Sequence, residues 1–205
     1  MLMNTEWILI SYVTDGPNNF MHDEDLSDLL LTWIKGHFFG IYRGTVSDND
    51  DPTKRGRLKV KVPAVLGAVE SWAMPCVPYA GKKVGFYSLP EPGTGVWIEF
   101  EAGDPSYPVW TGCFWGDNEL PDSGGAPIKI WKTEKLTLRI DDDGDEMKLE
   151  TTSGSKVTLA SDIQSESGGA KHTVGSSGVV SELAAGKVEV GPATVKVNNG
   201  AWEVM

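Results

Sequence analysis

Lys187-Val188-Glu189-Val190, Thr194-Val195-Lys196-Val197 and Ala201-Trp202-Glu203-Val204 are three variants of one short phrase. Their apolar–charged–apolar triplets start seven residues apart, at Val188, Val195 and Trp202. Alternation with a period of two marks a strand with one buried face. The pieces between them, Gly191-Pro192-Ala193 and Asn198-Asn199-Gly200, are turn chemistry. Short strands laid down at fixed spacing build a rod, and rods do mechanical or scaffolding work more often than chemistry.

The same character extends upstream. Ile128–Trp131, Leu136–Ile140, Met147–Thr151 and Val157–Ala160 read as short strands, and Gln164 to Gly186 reads as a Gly/Ser-rich stretch. These 78 residues from Ile128 to Met205 contain no second sheet and no helix to cover the apolar sides. An isolated two- or three-stranded meander is marginal in water, and open strand edges invite association. The economical solution is three copies around one axis, a prism with apolar residues inside and Lys and Glu outside. Some ten strands at ~4.8 Å each would make a needle on the order of 50 Å long. Asn118 to Pro127 has linker composition.

Five extended runs fall between His37 and Asp117: Phe38–Ser47, Arg57–Val65, Ser71–Val77, Gly95–Glu101 and Tyr107–Trp115. Leu58, Val60 and Val62 alternate with Arg57, Lys59 and Lys61, and Val96, Ile98 and Phe100 alternate with Trp97, Glu99 and Glu101. Each such run puts one face in a core and one in solvent. Five short strands without helical repeats predict a small Greek-key barrel of the OB type. Ahead of it, Leu26, Leu29, Leu30, Trp33 and Ile34 follow Asp23-Glu24-Asp25 at helical spacing, with Lys35 and Gly36 as the stop. This helix either packs on its own barrel or docks a neighbouring subunit through Leu26, Leu29, Leu30 and Trp33. Thr5 to Val13 reads as an edge strand. The domain boundaries expected are 1–36, 37–117, 118–127 and 128–205.

Bulk composition narrows the function. The net charge of −11 is the wrong sign for neutralising phosphates, so nucleic acid is not an expected partner. The apolar stretch Trp7–Val13 has no basic flank before it and no small-residue cleavage site after it, so a secretory signal is not expected and synthesis in a cytoplasm is. Cys76 and Cys113 have no Cys-x-x-Cys or metal spacing; buried free thiols are the plain reading, with a disulfide left open.

Candidate chemistry is sparse. Asp141-Asp142-Asp143-Gly144-Asp145-Glu146 does not match a calcium loop and reads as a solvated hairpin turn, a cation site being the lesser alternative. His22, His37 and His172 are scattered, and His172 has no companion His two residues away. No nucleophile–base grouping or Gly-rich phosphate loop is present, so no enzymatic activity, cofactor or metal is expected. Lys54, Arg55, Arg57, Lys59 and Lys61, with Tyr42, Trp97 and Trp110, could line a single-strand groove of an OB barrel. The simpler reading pairs the basic strand with Glu99–Glu101.

Several separated motifs resemble, in order, the OB domain of contractile-tail spikes, the phage baseplate assembly protein V family and its relatives in type VI secretion and extracellular injection particles. They are Tyr42-Arg43-Gly44-Thr45-Val46-Ser47-Asp48, Arg55-Gly56-Arg57-Leu58-Lys59-Val60-Lys61-Val62-Pro63, Trp72-Ala73-Met74-Pro75-Cys76, Pro90-Glu91-Pro92-Gly93-Thr94-Gly95-Val96-Trp97-Ile98 and Pro108-Val109-Trp110-Thr111-Gly112. The ending Val197–Val204 is similar to a spike terminus. The resemblance implies an all-β chain with a short N-terminal helix, an OB barrel and an intertwined trimeric three-sided β-helix. It implies a homotrimer seated on a baseplate hub protein and driven through a target cell envelope when the sheath contracts. It also implies a PAAR-type tip protein, here expected on Ala201, Trp202, Glu203, Val204 and Met205, because the His-x-His pair of self-capped members is missing. The rival expectation is an OB-fold module binding single-stranded nucleic acid or glycan, trailing a flexible tail.

Overall fold

The computed structural model describes residues 23–205. The strand expected at Thr5–Val13, and His22, lie outside the described residues. The chain divides into two compact units, one ending at Gly116 and the other running from Asp117 to Met205.

Helix α1 (Asp23–Lys35) forms where the apolar spacing places it. Gly36 closes it, its N–H reaching the carbonyls of Thr32 and Trp33. The predicted stripe is not covered by the barrel: Leu26, Leu29, Leu30 and Trp33 remain 38–46% exposed. The C-terminal end is tied down. The His37 ring stacks on Trp33 with centroids 4.2 Å apart, its Nδ1 lies 2.6 Å from the Trp33 carbonyl, and the Phe38 N–H donates to the Gly103 carbonyl at 2.7 Å.

Strands β1 (Tyr42–Asp48), β2 (Leu58–Lys61), β3 (Glu70–Pro75), β6 (Gly95–Phe100) and β7 (Pro108–Phe114) close into a barrel in the order β1-β2-β3-β7-β6. All pairs are antiparallel except β3 with β7, where Met74 faces Val109 in parallel. This five-stranded closure is the Greek-key OB arrangement. The alternation decides what goes inside: Leu58, Val60, Val62, Val96 and Ile98 are fully buried, joined by Val46, Ala73, Phe100 and Trp110. Gly44 sits where β1 and β2 close up, since a Cβ there would come within 3.1 Å of the Lys61 carbonyl.

Two details depart from the sequence reading. The run Arg57–Val65 is cut short, because Pro63 starts a one-turn helix, Pro63–Leu66, at a position where its missing N–H is harmless. A small hairpin, β4 (Ala80–Gly81) with β5 (Val84–Gly85), fills the long connection after β3.

The second unit is one ten-stranded antiparallel meander: β8 (Ile128–Lys132), β9 (Leu136–Asp141), β10 (Glu146–Thr151), β11 (Lys156–Leu159), β12 (Ile163–Ser167), β13 (Ala170–Gly175), β14 (Gly178–Leu183), β15 (Gly186–Val190), β16 (Val195–Val197) and β17 (Trp202–Val204). Each strand pairs with its neighbours in sequence. The stretch Gln164–Gly186, read from the sequence only as Gly/Ser-rich, is largely strand. Its small residues are concentrated at two-residue turns: Gly168-Gly169, Ser176-Ser177 and Ala184-Ala185 each separate strands paired at the flanking residues. Gly168 and Gly169 both take positive φ, 57° and 83°, as a type I′ hairpin turn requires. Among the described residues no helix is long and apolar enough to cross a membrane.

Candidate functional site

Following the pairings strand by strand separates the two faces of the meander. One row across the sheet reads Ile140, Met147, Leu159, Ile163, Val174, Val179, Val190, Val195, Val204. It is apolar at every strand from β9 to β17. The parallel row on the same face reads Trp131, Leu138, Leu149, Val157, Ser165, His172, Ser181, Val188, Val197, Trp202. It is apolar at both ends and polar for three strands in the middle.

The opposite face carries charge in alternating sign. Glu150, Lys156, Glu166, Lys171, Glu182 and Lys187 stand side by side across six strands. Lys156 Nζ lies 3.1 Å from Glu166, and Lys171 Nζ lies 3.9 Å from the same carboxylate. Further along, Lys196 pairs with Glu203 at 3.4 Å. Neighbouring opposite charges favour this register and disfavour a slip.

No residue of the second unit is buried. Ile163 is 51% exposed and Trp202 60%, whereas Lys156, Glu166 and Lys171 are only half-exposed because they lie along one another. The sheet thus leaves an apolar face without a covering layer in this chain.

The hairpin acids behave as a turn. Asp141 accepts the Gly144 N–H at 2.9 Å and Arg139 Nη1 at 3.0 Å, and Asp142 pairs with Lys129. The Gly144 N–H and then the Arg139 guanidinium hold the Asp141 carboxyl below the usual carboxylate range. Arg139 Nε also reaches Asp122 at 3.2 Å, pinning the segment before β8 and holding Asp122 low as well.

In the barrel, the basic residues are committed elsewhere than expected. Lys59 and Lys61 pair with Glu70 on β3, at 3.6 and 3.3 Å, since β2 neighbours β3 rather than the strand bearing Glu99. Lys54 pairs with Asp50 at 2.6 Å. Asp51 is buried. Its carboxylate accepts Arg57 Nε and Nη2 at 3.1 and 2.8 Å, the Thr53 N–H and hydroxyl, and the Arg55 and Arg57 N–H groups. The Arg57 guanidinium therefore holds Asp51 far below the usual carboxylate range. This cluster locks the β1–β2 loop. Trp110 is buried with its indole N–H on the Gly56 carbonyl, so it offers no stacking platform. Cys76 and Cys113 are free thiols, and both are exposed rather than buried; Cys113 lies past Trp110, the last inward residue of β7.

Residues 42–115, the barrel strands with their connections, match the family model of the type VI secretion system/phage-baseplate injector OB domain. The barrel belongs to this family. No curated protein matches the chain. The residues expected at the tip contact, Ala201–Met205, occupy the last strand and its flanks, all exposed; β17 pairs with β16 alone. Those expected at the hub, Leu26, Leu29, Leu30 and Trp33, form the uncovered stripe of α1.

Proposed function

We propose that the chain is the central spike of a contractile injection baseplate, acting as a homotrimer. In this reading, three copies of the meander face one another with their apolar rows and form a three-sided β-prism. Ten strands at ~4.8 Å spacing make each face about 50 Å long. The observation that supports it best is the unbroken apolar row from Ile140 to Val204 on a unit without a buried residue. Burying one Val, Leu or Ile side chain is worth roughly 1.5–3 kcal/mol, so a row of this length, repeated in three chains, gives the assembly ample driving force. The charged face then becomes the outside of the needle.

The stripe of α1 docks the trimer to the baseplate hub. The open edge of β17, with Trp202 and Val204, takes a PAAR-type tip protein. Sheath contraction drives the prism through the target cell envelope, and its resistance to load comes from cooperative strand pairing around a dry centre. The rival reading, an OB module with a flexible tail, has no tail to use: beyond Pro127 the chain is the ten-stranded sheet. Of the basic residues it would need, Lys54, Arg57, Lys59 and Lys61 are engaged in ion pairs.

Light scattering on the purified full chain at micromolar concentration tests the assembly. The expected mass is three times 22.2 kDa; a monomer would overturn the spike reading. Deleting Ala201–Met205 is expected to abolish binding of a PAAR-type protein while leaving the trimer mass unchanged.

A further inference from the structure

The barrel unit carries a cavity that its own core leaves unfilled. After β3 the chain leaves the barrel as the β4–β5 hairpin, a two-stranded sheet separate from both larger sheets. A hollow of about 530 Å³, within the usual size of a binding site, lies between this connection and the β1–β2 loop. Pro75 and Trp110 line it from the barrel, and Tyr79, Val84 and Tyr87 from the connection. Tyr79 is 58% exposed and Tyr87 77%. Two aromatic rings, apolar on their faces and polar at their tips, thus stand in water beside an apolar wall.

The charge around the hollow has one sign. Its charged lining residues are all basic: Lys54, Arg55 and Lys83. Lys54 is paired with Asp50. Arg55 donates from Nε to the Thr53 hydroxyl at 3.2 Å, and neither Arg55 nor Lys83 has a carboxylate partner among the described residues. Lys83 also takes a φ of +63° in the Lys82-Lys83 turn, where Gly or Asn would be relaxed. A cation is kept at the hollow at a conformational cost of roughly 1 kcal/mol. In a chain of net charge −11, this is a local reversal of sign beside exposed aromatic rings.

We propose that the hollow binds an acidic peptide segment of a partner protein, with carboxylates on Arg55 and Lys83 and an apolar or aromatic side chain against Tyr79 and Tyr87. Two considerations favour a peptide over a nucleic acid. A two-stranded sheet leaves an open edge on each strand, and an extended peptide pairs with such an edge through its own backbone. A long polyanion would also run out over the acidic surface, whereas a short acidic segment feels only charges within a Debye length of ~8–10 Å. The hollow lies wholly within one barrel, so binding does not depend on the trimer.

Selection of random dodecapeptides on the immobilised full-length chain, followed by calorimetry with an enriched synthetic peptide, provides the test. Enriched peptides are expected to combine Asp or Glu with an apolar or aromatic residue. The Lys82→Glu/Lys83→Glu variant should bind such a peptide about ten-fold more weakly, as should Tyr87→Ala, whose exposed ring leaves folding intact. Lys132→Glu/Lys135→Glu, the same charge change in the second unit, should leave affinity within about two-fold. No enrichment, or enrichment of basic or uncharged peptides, would overturn the site. Equal weakening by both lysine pairs would also overturn it, since net charge alone would then account for binding. Tighter binding of a heparin oligosaccharide or of oligothymidylate, lost in the Lys82→Glu/Lys83→Glu variant, would overturn the peptide as occupant. Light scattering on the same variants is expected to give the wild-type mass, so a failure here leaves the spike reading standing.

Discussion

The barrel and the meander are both built from short alternating strands, but they bury their apolar sides differently. In the barrel, five strands curl until the inward residues meet one another, and Val96 and Ile98 disappear from solvent within one chain. In the meander, ten strands remain one open sheet and the equivalent residues stay exposed or half-buried. Connections account for part of the difference. The barrel has long connections that let β3 pair in parallel with β7, whereas the meander's tight turns allow only the next strand in sequence as a neighbour. Local turns give a register but not closure, so the second unit has no buried core of its own.

The largest effect that would sharpen this contrast is expected from Val174→Asp. A charge in the centre of the apolar row should abolish the trimer in light scattering, while the near-ultraviolet signal of the barrel tryptophans persists. A trimer that survives this change would break the comparison. Ile98→Ala should do the reverse. It should destabilise the barrel by roughly 2–5 kcal/mol in denaturant unfolding and leave the trimer mass unaltered.

Next in size is the pH dependence of the barrel. Arg57 depresses the Asp51 carboxyl in the folded state. A depressed acid contributes stability that is fully present above its unfolded value near pH ~4 and is lost as pH falls below it. Asp51→Asn should lower the barrel's Tm by roughly 10 °C at neutral pH, with a smaller difference from wild type at acid pH. An equal difference at both pH values would remove Asp51 ionisation from the account. The smallest effect belongs to the charged face: Lys171→Ala should change stability by no more than about 0.5 kcal/mol, because its ion pair with Glu166 is solvated.

Much of the barrel was legible because its strands alternate cleanly and its separators are turn residues. The pairings were not. Lys59 and Lys61 find Glu70 instead of Glu99, since strand order depends on a long-range parallel contact that no local pattern announces. The stretch from Gln164 to Gly186 was hidden for another reason. Its strands carry Ser, Gly, Thr and His where larger apolar residues usually signal a strand, and its glycines, which suggest a loop, are hairpin turns.

By itself the sequence determined which residues are strand, which way their side chains alternate, and that the C-terminal third has apolar surface to hide. The period of two and the turn residues are local properties, and local physics is enough to set them. Tertiary structure decided the rest. Only the register places nine apolar residues in one row, brings Ser165, His172 and Ser181 side by side, and folds Arg57 onto Asp51. These contacts depend on where each turn falls and how the strands pair, which the alternation within a single strand does not specify.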